Sequence, residues 1–186
     1  MLTDQESKQP VIDLGDDDDP VAVTAMLKFF YDGTYRVDGS DGKASEQHLI
    51  MYRLADLYDA HELRKAASRY LIGHFRAFSP SWNDHARPSI ADHVVQSVQQ
   101  ILGPSADTFA DNSIQEDVFK FTLHDAHSFY KNELFQELLS NGSMFSEAYS
   151  RRFAQKTGEL ITRLRSRSHG SFVSILISLD VGGPPT

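Results

Sequence analysis

Residues 11–35 read VIDLGDDDDPVAVTAMLKFFYDGTY and residues 52–75 read YRLADLYDAHELRKAASRYLIGHF; the two ends of this stretch, Val11 to Phe78, set the character of the chain. Val11, Ile12 and Leu14 form a short apolar run closed by Gly15, the pattern of a small strand. The acidic run Asp16–Asp19 then meets Pro20. Proline suits the first position of a helix, where an N–H has no intrahelical partner to lose. Asp19 is placed to cap that helix, and the carboxylates gather at the end that the helix dipole favours for anions. Val23, Met26, Leu27, Phe30 and Tyr31 recur at spacings of three and four, which predicts a helix over 21–31 with that face buried. Gly33 is the expected stop.

Working outward, RVDGSDGKA between Tyr35 and Ser45 has the composition of a flexible loop. It lacks the Lys-Ser/Thr pair that follows a phosphate-cradling loop, so nucleotide binding is not expected there. Ser45 can cap a helix over 46–58, with Leu49, Tyr52, Ala55 and Tyr58 facing inward. After a break at Asp59, residues 61–78 continue as a helix with Leu63, Ala66, Ala67, Tyr70, Leu71 and Phe75 on one face. Arg64, Lys65 and Arg69 are expected on the wet side, and His61 and His74 as half-buried structural histidines.

In order and spacing, IDL-x-x-DDDP, ML-x-FFYDGTY and MYRLADLYDAHELRKAA together resemble the C-terminal half of a BTB/POZ domain of the filamentous-fungal type. The resemblance covers roughly residues 4 to 78. A whole BTB domain has a longer preceding segment, with a strand hairpin and two helices, that has no counterpart ahead of Met1; a truncated gene model and a remnant domain are the two readings. The resemblance implies a protein–protein interaction module, and BTB domains commonly self-associate or act as adaptors for cullin ubiquitin ligases. Their dimer surface uses the missing segment. Cullin-recruiting members often carry a hydrophobic-x-Glu motif before the strand, which aligns with Asp4-Gln5-Glu6. Glu6 matches, but Asp4 stands where an apolar side chain would insert, and a charge in an apolar pocket costs several kcal/mol unless paired. The contact residues implied for this chain are Glu6, Phe30, Tyr31, Asp32, Tyr35 and Tyr58.

Composition narrows the alternatives. The chain has no cysteine, which excludes disulfides, thiolate metal sites and a cysteine nucleophile. The net charge of −8 lies entirely in residues 1–60, with 13 acidic against 5 basic, while residues 61–186 are balanced. That argues against nucleic acid as a partner of the acidic half, because phosphate contacts need Lys and Arg. The acidity could steer a basic partner, or simply be a solvated helix cap. No apolar run has the length of a membrane span, and residues 1–30 have no signal-peptide pattern, so an intracellular protein of cytoplasm or nucleus is expected, with no membrane partner.

Beyond Phe78, FSPSWNDHARPS reads as a joint over 79–89, with Trp82 beside Pro80 as a clamp or an exposed ring. A helix is predicted near 89–102, with Ile90, Val94 or Val95, Val98, and Ile101 or Leu102 inward, stopped by Gly103-Pro104. Residues 114–139 suggest one long helix or two shorter ones, closed by Asn141-Gly142. Asn141-Gly142-Ser143 matches a glycosylation sequon but reads here as a turn. A last helix over 144–167 puts Phe145, Ala148, Tyr149, Phe153, Leu160, Ile161 and Leu164 on one side, and is basic through Arg151, Arg152, Lys156, Arg163, Arg165 and Arg167. A solvated basic face, an anionic surface, or docking on the chain's own acidic half would each suit it. The apolar segment Phe172–Leu179 reads as an edge strand, a helix end or an exon scar, and unpaired it is an aggregation hazard.

The search for chemistry returns little. His124 and His127 could share a helix face, but they lack the His-Glu-x-x-His pattern and a third ligand. No Gly-x-Ser-x-Gly elbow accompanies the serine-rich pieces. Neither catalysis, a cofactor nor a metal is expected. The fold expected is mainly α: a partial BTB/POZ-like module of one short strand plus helices in residues 1–78, a linker over 79–89, and a helical C-terminal region over 90–186 with an apolar tail.

Overall fold

The computed structural model describes residues 19–37, 41–79 and 89–167. The run Val11–Leu14, Glu6, Trp82 and the segment Phe172–Leu179 lie outside them. The described residues are mainly helical, with eight helices and no strand. They belong to two compact units, one extending to His74 and the other beginning at Phe75.

In the first unit, α1 spans Pro20–Asp32 and forms for the local reasons its sequence gives. Asp19 accepts a 2.9 Å hydrogen bond from the Val21 N–H, Pro20 occupies the first turn, and the Thr24 hydroxyl donates back to the Pro20 carbonyl at 2.7 Å. Gly33 takes the left-handed conformation at φ 69°, and its N–H closes on the Phe29 carbonyl. The buried face is narrower than the apolar pattern predicts. Ala22, Val23 and Met26 are covered, while Leu27, Phe30 and Tyr31 are exposed. Cover ends before the apolar stripe does.

α2 spans Asp41–Leu57 and packs against α1. It starts four residues ahead of Ser45, so part of the expected loop is helix and Ser45 is a buried residue of the second turn, not a cap. Leu49, Tyr52 and Ala55 are buried as predicted, joined by Ala44, His48, Met51 and Leu54; Tyr58, expected inward, is exposed. The helix ends in a Schellman closure: Asp59 is left-handed at φ 50°, its N–H reaches the Asp56 carbonyl at 3.3 Å, and the Ala60 N–H reaches Ala55 at 2.7 Å.

α3 spans His61–Ala77, with Leu63, Ala66, Ala67, Leu71 and Phe75 buried and Tyr70 half-buried. Arg64, expected in water, is buried. Its guanidinium donates to Asp56 at 2.8 Å and to Asp59 at 2.9 Å, so the charge placed in the interior is matched across the α2–α3 turn. His61 is exposed rather than half-buried.

The second unit contains α4 (Asp92–Leu102), α5 (Ser113–His124), α6 (Ala126–Tyr130), α7 (Glu133–Ser140) and α8 (Glu147–Arg167). In α4 both valines of the 94–95 pair and both residues of the 101–102 pair are buried, because α5 and α7 pack on it together. The stretch read as one or two helices over 114–139 is three. Breaks fall at Asp125 and at Lys131–Asn132, and Asn132 explains the second. Its Oδ1 accepts from the Phe135 N–H at 2.8 Å as the α7 cap, while its Nδ2 donates to the Ile90 carbonyl at 2.9 Å and to Asp92 at 2.7 Å. A helix cannot continue through a side chain committed to capping the next one. Asn141-Gly142 is the turn expected, with Gly142 at φ 75°.

Around this unit's centre, Phe121, Phe129, Phe135, Phe145 and Phe153 are buried in a linked set of ring contacts, the closest being Phe145–Phe153 at 4.9 Å. Met144 and Phe145 are buried ahead of α8, which begins later than predicted, and Ala148 is exposed, not inward. The side chains of Leu160, Ile161 and Leu164 lie outside the described ones. The basic residues of α8 that are described pair within their own unit: Arg152 forks onto Glu116 at 2.6 and 2.9 Å, Arg151 meets Glu147, and Lys156 meets Glu159.

Candidate protein-interaction surface

Two features of the first unit set distinctive side chains at its surface. The first is the C-terminal half of α1. Positions 23, 26 and 30 share one face of a helix, and 27 and 31 flank it. Val23 and Met26 are buried there, yet Phe30 is 58% exposed, Leu27 47% and Tyr31 89%. Asp32 ends the helix, also exposed. Three large apolar side chains and a carboxylate therefore occupy the last two turns before the Gly33 stop.

The second feature begins where the chain turns back. After Gly33 and Thr34, Tyr35 points inward and is buried against α2, not exposed like its neighbours. Its hydroxyl shares a 2.9 Å hydrogen bond with His48 Nδ1, and its ring stands edge-on to His48 at 5.7 Å and to Tyr70 of α3 at 5.2 Å. His48 in turn lies 5.9 Å from the Tyr70 ring and 6.3 Å from that of His74. The Thr34 and Tyr70 hydroxyls are hydrogen-bonded at 3.2 Å, and the Arg69 guanidinium sits 5.3 Å from the centre of the Tyr70 ring.

Electrostatics follow from this burial. Loss of solvent, with His74 adding repulsion, lowers the His48 imidazole from 6.5 to about 4. Burial, with Tyr70 beside it, pushes the Tyr35 phenol up. Near neutrality the pair is thus an uncharged phenol bonded to an uncharged imidazole. Above it opens a depression of about 340 Å³ bordered by Tyr35, Val37, His48, Arg69, Tyr70, Gly73 and His74.

Of the residues expected to meet a partner, Phe30, Tyr31 and Asp32 come together on one helix end. Tyr35 belongs to the packed ring cluster behind it. Tyr58 lies at the far end of α2 from His48, ten residues and so about 15 Å along the axis. Glu6 is outside the described residues. The group formed by His48, Arg69, Tyr70, Gly73 and His74 was not anticipated. The signal was present, since His48 falls in register with Ser45 and Tyr52 on the buried stripe of α2, and 69, 70, 73 and 74 line one edge of α3.

His124 and His127, the pair weighed as metal ligands, stand on different helices, and His124 Nδ1 contacts Asp125 at 3.0 Å. Among the described residues no three His, Asp or Glu side chains gather as a metal site, and no helix is long and apolar enough to cross a membrane.

A scan against protein-family models, a search of curated proteins and a search of solved structures each return no match to the chain. The BTB/POZ resemblance rests on its residues alone.

Proposed function

We propose that the chain is a protein–protein interaction module of BTB/POZ type without catalytic activity of its own. The observation that supports this reading is the uncovered end of α1, where Leu27, Phe30 and Tyr31 stand in solvent beside Asp32. Large aromatic side chains are the residue type that most often dominates binding energy at an interface, and a helix stopped by Gly33 presents them at a fixed angle. Replacing Leu27, Phe30 and Tyr31 together by serine tests the surface. A variant that keeps its circular dichroism but loses partner binding or self-association supports the reading, and unchanged behaviour in both overturns it.

A second, narrower reading is that of a substrate adaptor for a cullin-based ubiquitin ligase. It is favoured by the exposure of Phe30, Tyr31 and Asp32, the helix end to which the resemblance assigns scaffold contact. Calorimetric titration with a cullin N-terminal region decides it. Saturable binding at micromolar affinity or better, lost in Tyr31→Ala, supports an adaptor; no binding by the folded chain removes that reading and leaves the module with another partner.

A further inference from the structure

We propose that the depression over the Tyr35–His48–Tyr70–His74 rings is a binding site for an acidic peptide segment, one in which an aromatic side chain adjoins a carboxylate. The site is separate from the uncovered end of α1 and does not depend on cullin binding.

Three features select this ligand. The depression is backed by the buried Tyr35 and His48 rings, and the half-exposed rings of Tyr70 and His74, set edge-on or tilted against them, supply its aromatic surface. Such a surface accepts another ring in edge-to-face or offset contact. Beside it stands Arg69, an exposed cation 5.3 Å from the centre of the Tyr70 ring and paired with no carboxylate among the described residues. A guanidinium with no carboxylate already on it keeps its N–H fork available for one. Finally, Gly73 lies one turn beyond Arg69 in α3, and a Cβ placed on it would meet nothing within 4 Å. The absent side chain leaves room for a peptide to approach the helix closely.

Charge decides between ligand classes that share this chemistry. Rings plus an arginine would also suit a nucleotide base and its phosphate. Among the described residues, however, Arg69 is the one Lys or Arg bordering the depression, so a polyphosphate chain finds a single cation where it needs several. A short peptide bringing one or two carboxylates beside a ring matches one cation beside an aromatic surface.

The test uses the full chain and two acetylated, amidated pentapeptides, one with the core Phe-Asp-Asp and one with Phe-Asn-Asn. Binding is read by calorimetry and by the imidazole NMR signals of His48 and His74. The acidic peptide is expected to bind about tenfold or more tightly than its amide counterpart and to shift both signals. Arg69→Ala should erase the difference between the peptides. Gly73→Leu, which fills open space on an exposed helix face, should abolish binding of both. Equal binding of the two peptides, binding unaffected by Gly73→Leu, undisturbed histidine signals, or preference for a thymidine oligonucleotide over the acidic peptide would each overturn the proposal.

Discussion

The Tyr35–His48 pair sets a pH dependence whose sign can be worked out from its burial. A histidine whose folded pKa lies at about 4, below its usual 6.5, stays neutral in the fold while the unfolded chain takes up a proton. The stability this pair contributes is therefore fully present above pH 6.5 and drains away as pH falls toward 4. Thermal midpoints measured across that window should drop, and His48→Gln should flatten the drop. Arg64 poses a different case. Its guanidinium is buried, Asp56 is half-buried, and Asp59 at the other end of the fork is exposed. Truncation in Arg64→Ala removes two charge-assisted hydrogen bonds across the α2–α3 turn and should cost about 2 kcal/mol in urea unfolding. Neither residue was legible in advance. A helical pattern assigns residues to faces, and Arg64 sits at the edge of its apolar face, where burial depends on whether an acid comes within reach across the turn.

Elements were legible where their limits are local. Asp19, Pro20 and Gly33 bound α1 through bonds spanning no more than four residues, and all three were in plain view. The start of α2 was not. Asp41-Gly42-Lys43-Ala44 has loop composition, but the first turn of a helix tolerates such residues because its N–H groups lack intrahelical partners anyway, and Ala44 is drawn in by burial. The division of 114–139 was hidden for the opposite reason, since apolar residues recur throughout and the break at Asn132 depends on Ile90 and Asp92, more than forty positions away in one case. Asn132→Ala should accordingly destabilise the second unit by about 2 kcal/mol, through the lost α7 cap and the two groups left without their donor. Gly73 predicts the reverse. It is an ordinary right-handed helical residue with open space at its Cβ, so Gly73→Ala should raise the melting temperature, by an amount corresponding to roughly 0.5–1 kcal/mol.

For the whole molecule, the mainly helical class and the core residues of each unit could be read from apolar periodicity, whereas the candidate surface could be read only in part. Phe30 and Tyr31 were picked out as contact residues and also assigned to a buried face; their exposure overturns the second expectation. The ring cluster was missed because it joins the 34–37 turn, α2 and α3, and no sequence spacing encodes that meeting. The second unit depends on a single aromatic centre, so Phe135→Ala should cost about 3–5 kcal/mol by calorimetry or denaturant titration. The long spans of its hydrogen bonds carry one more consequence. Gln99 reaches the Ser143 carbonyl across 44 residues, and the Ser146 N–H closes on Leu102. On a ribosome adding roughly 5–20 residues per second, α4 is synthesised some 2–9 s before those partners. For that interval neither closure can form, and the C-terminal end of α4 waits on a segment not yet made.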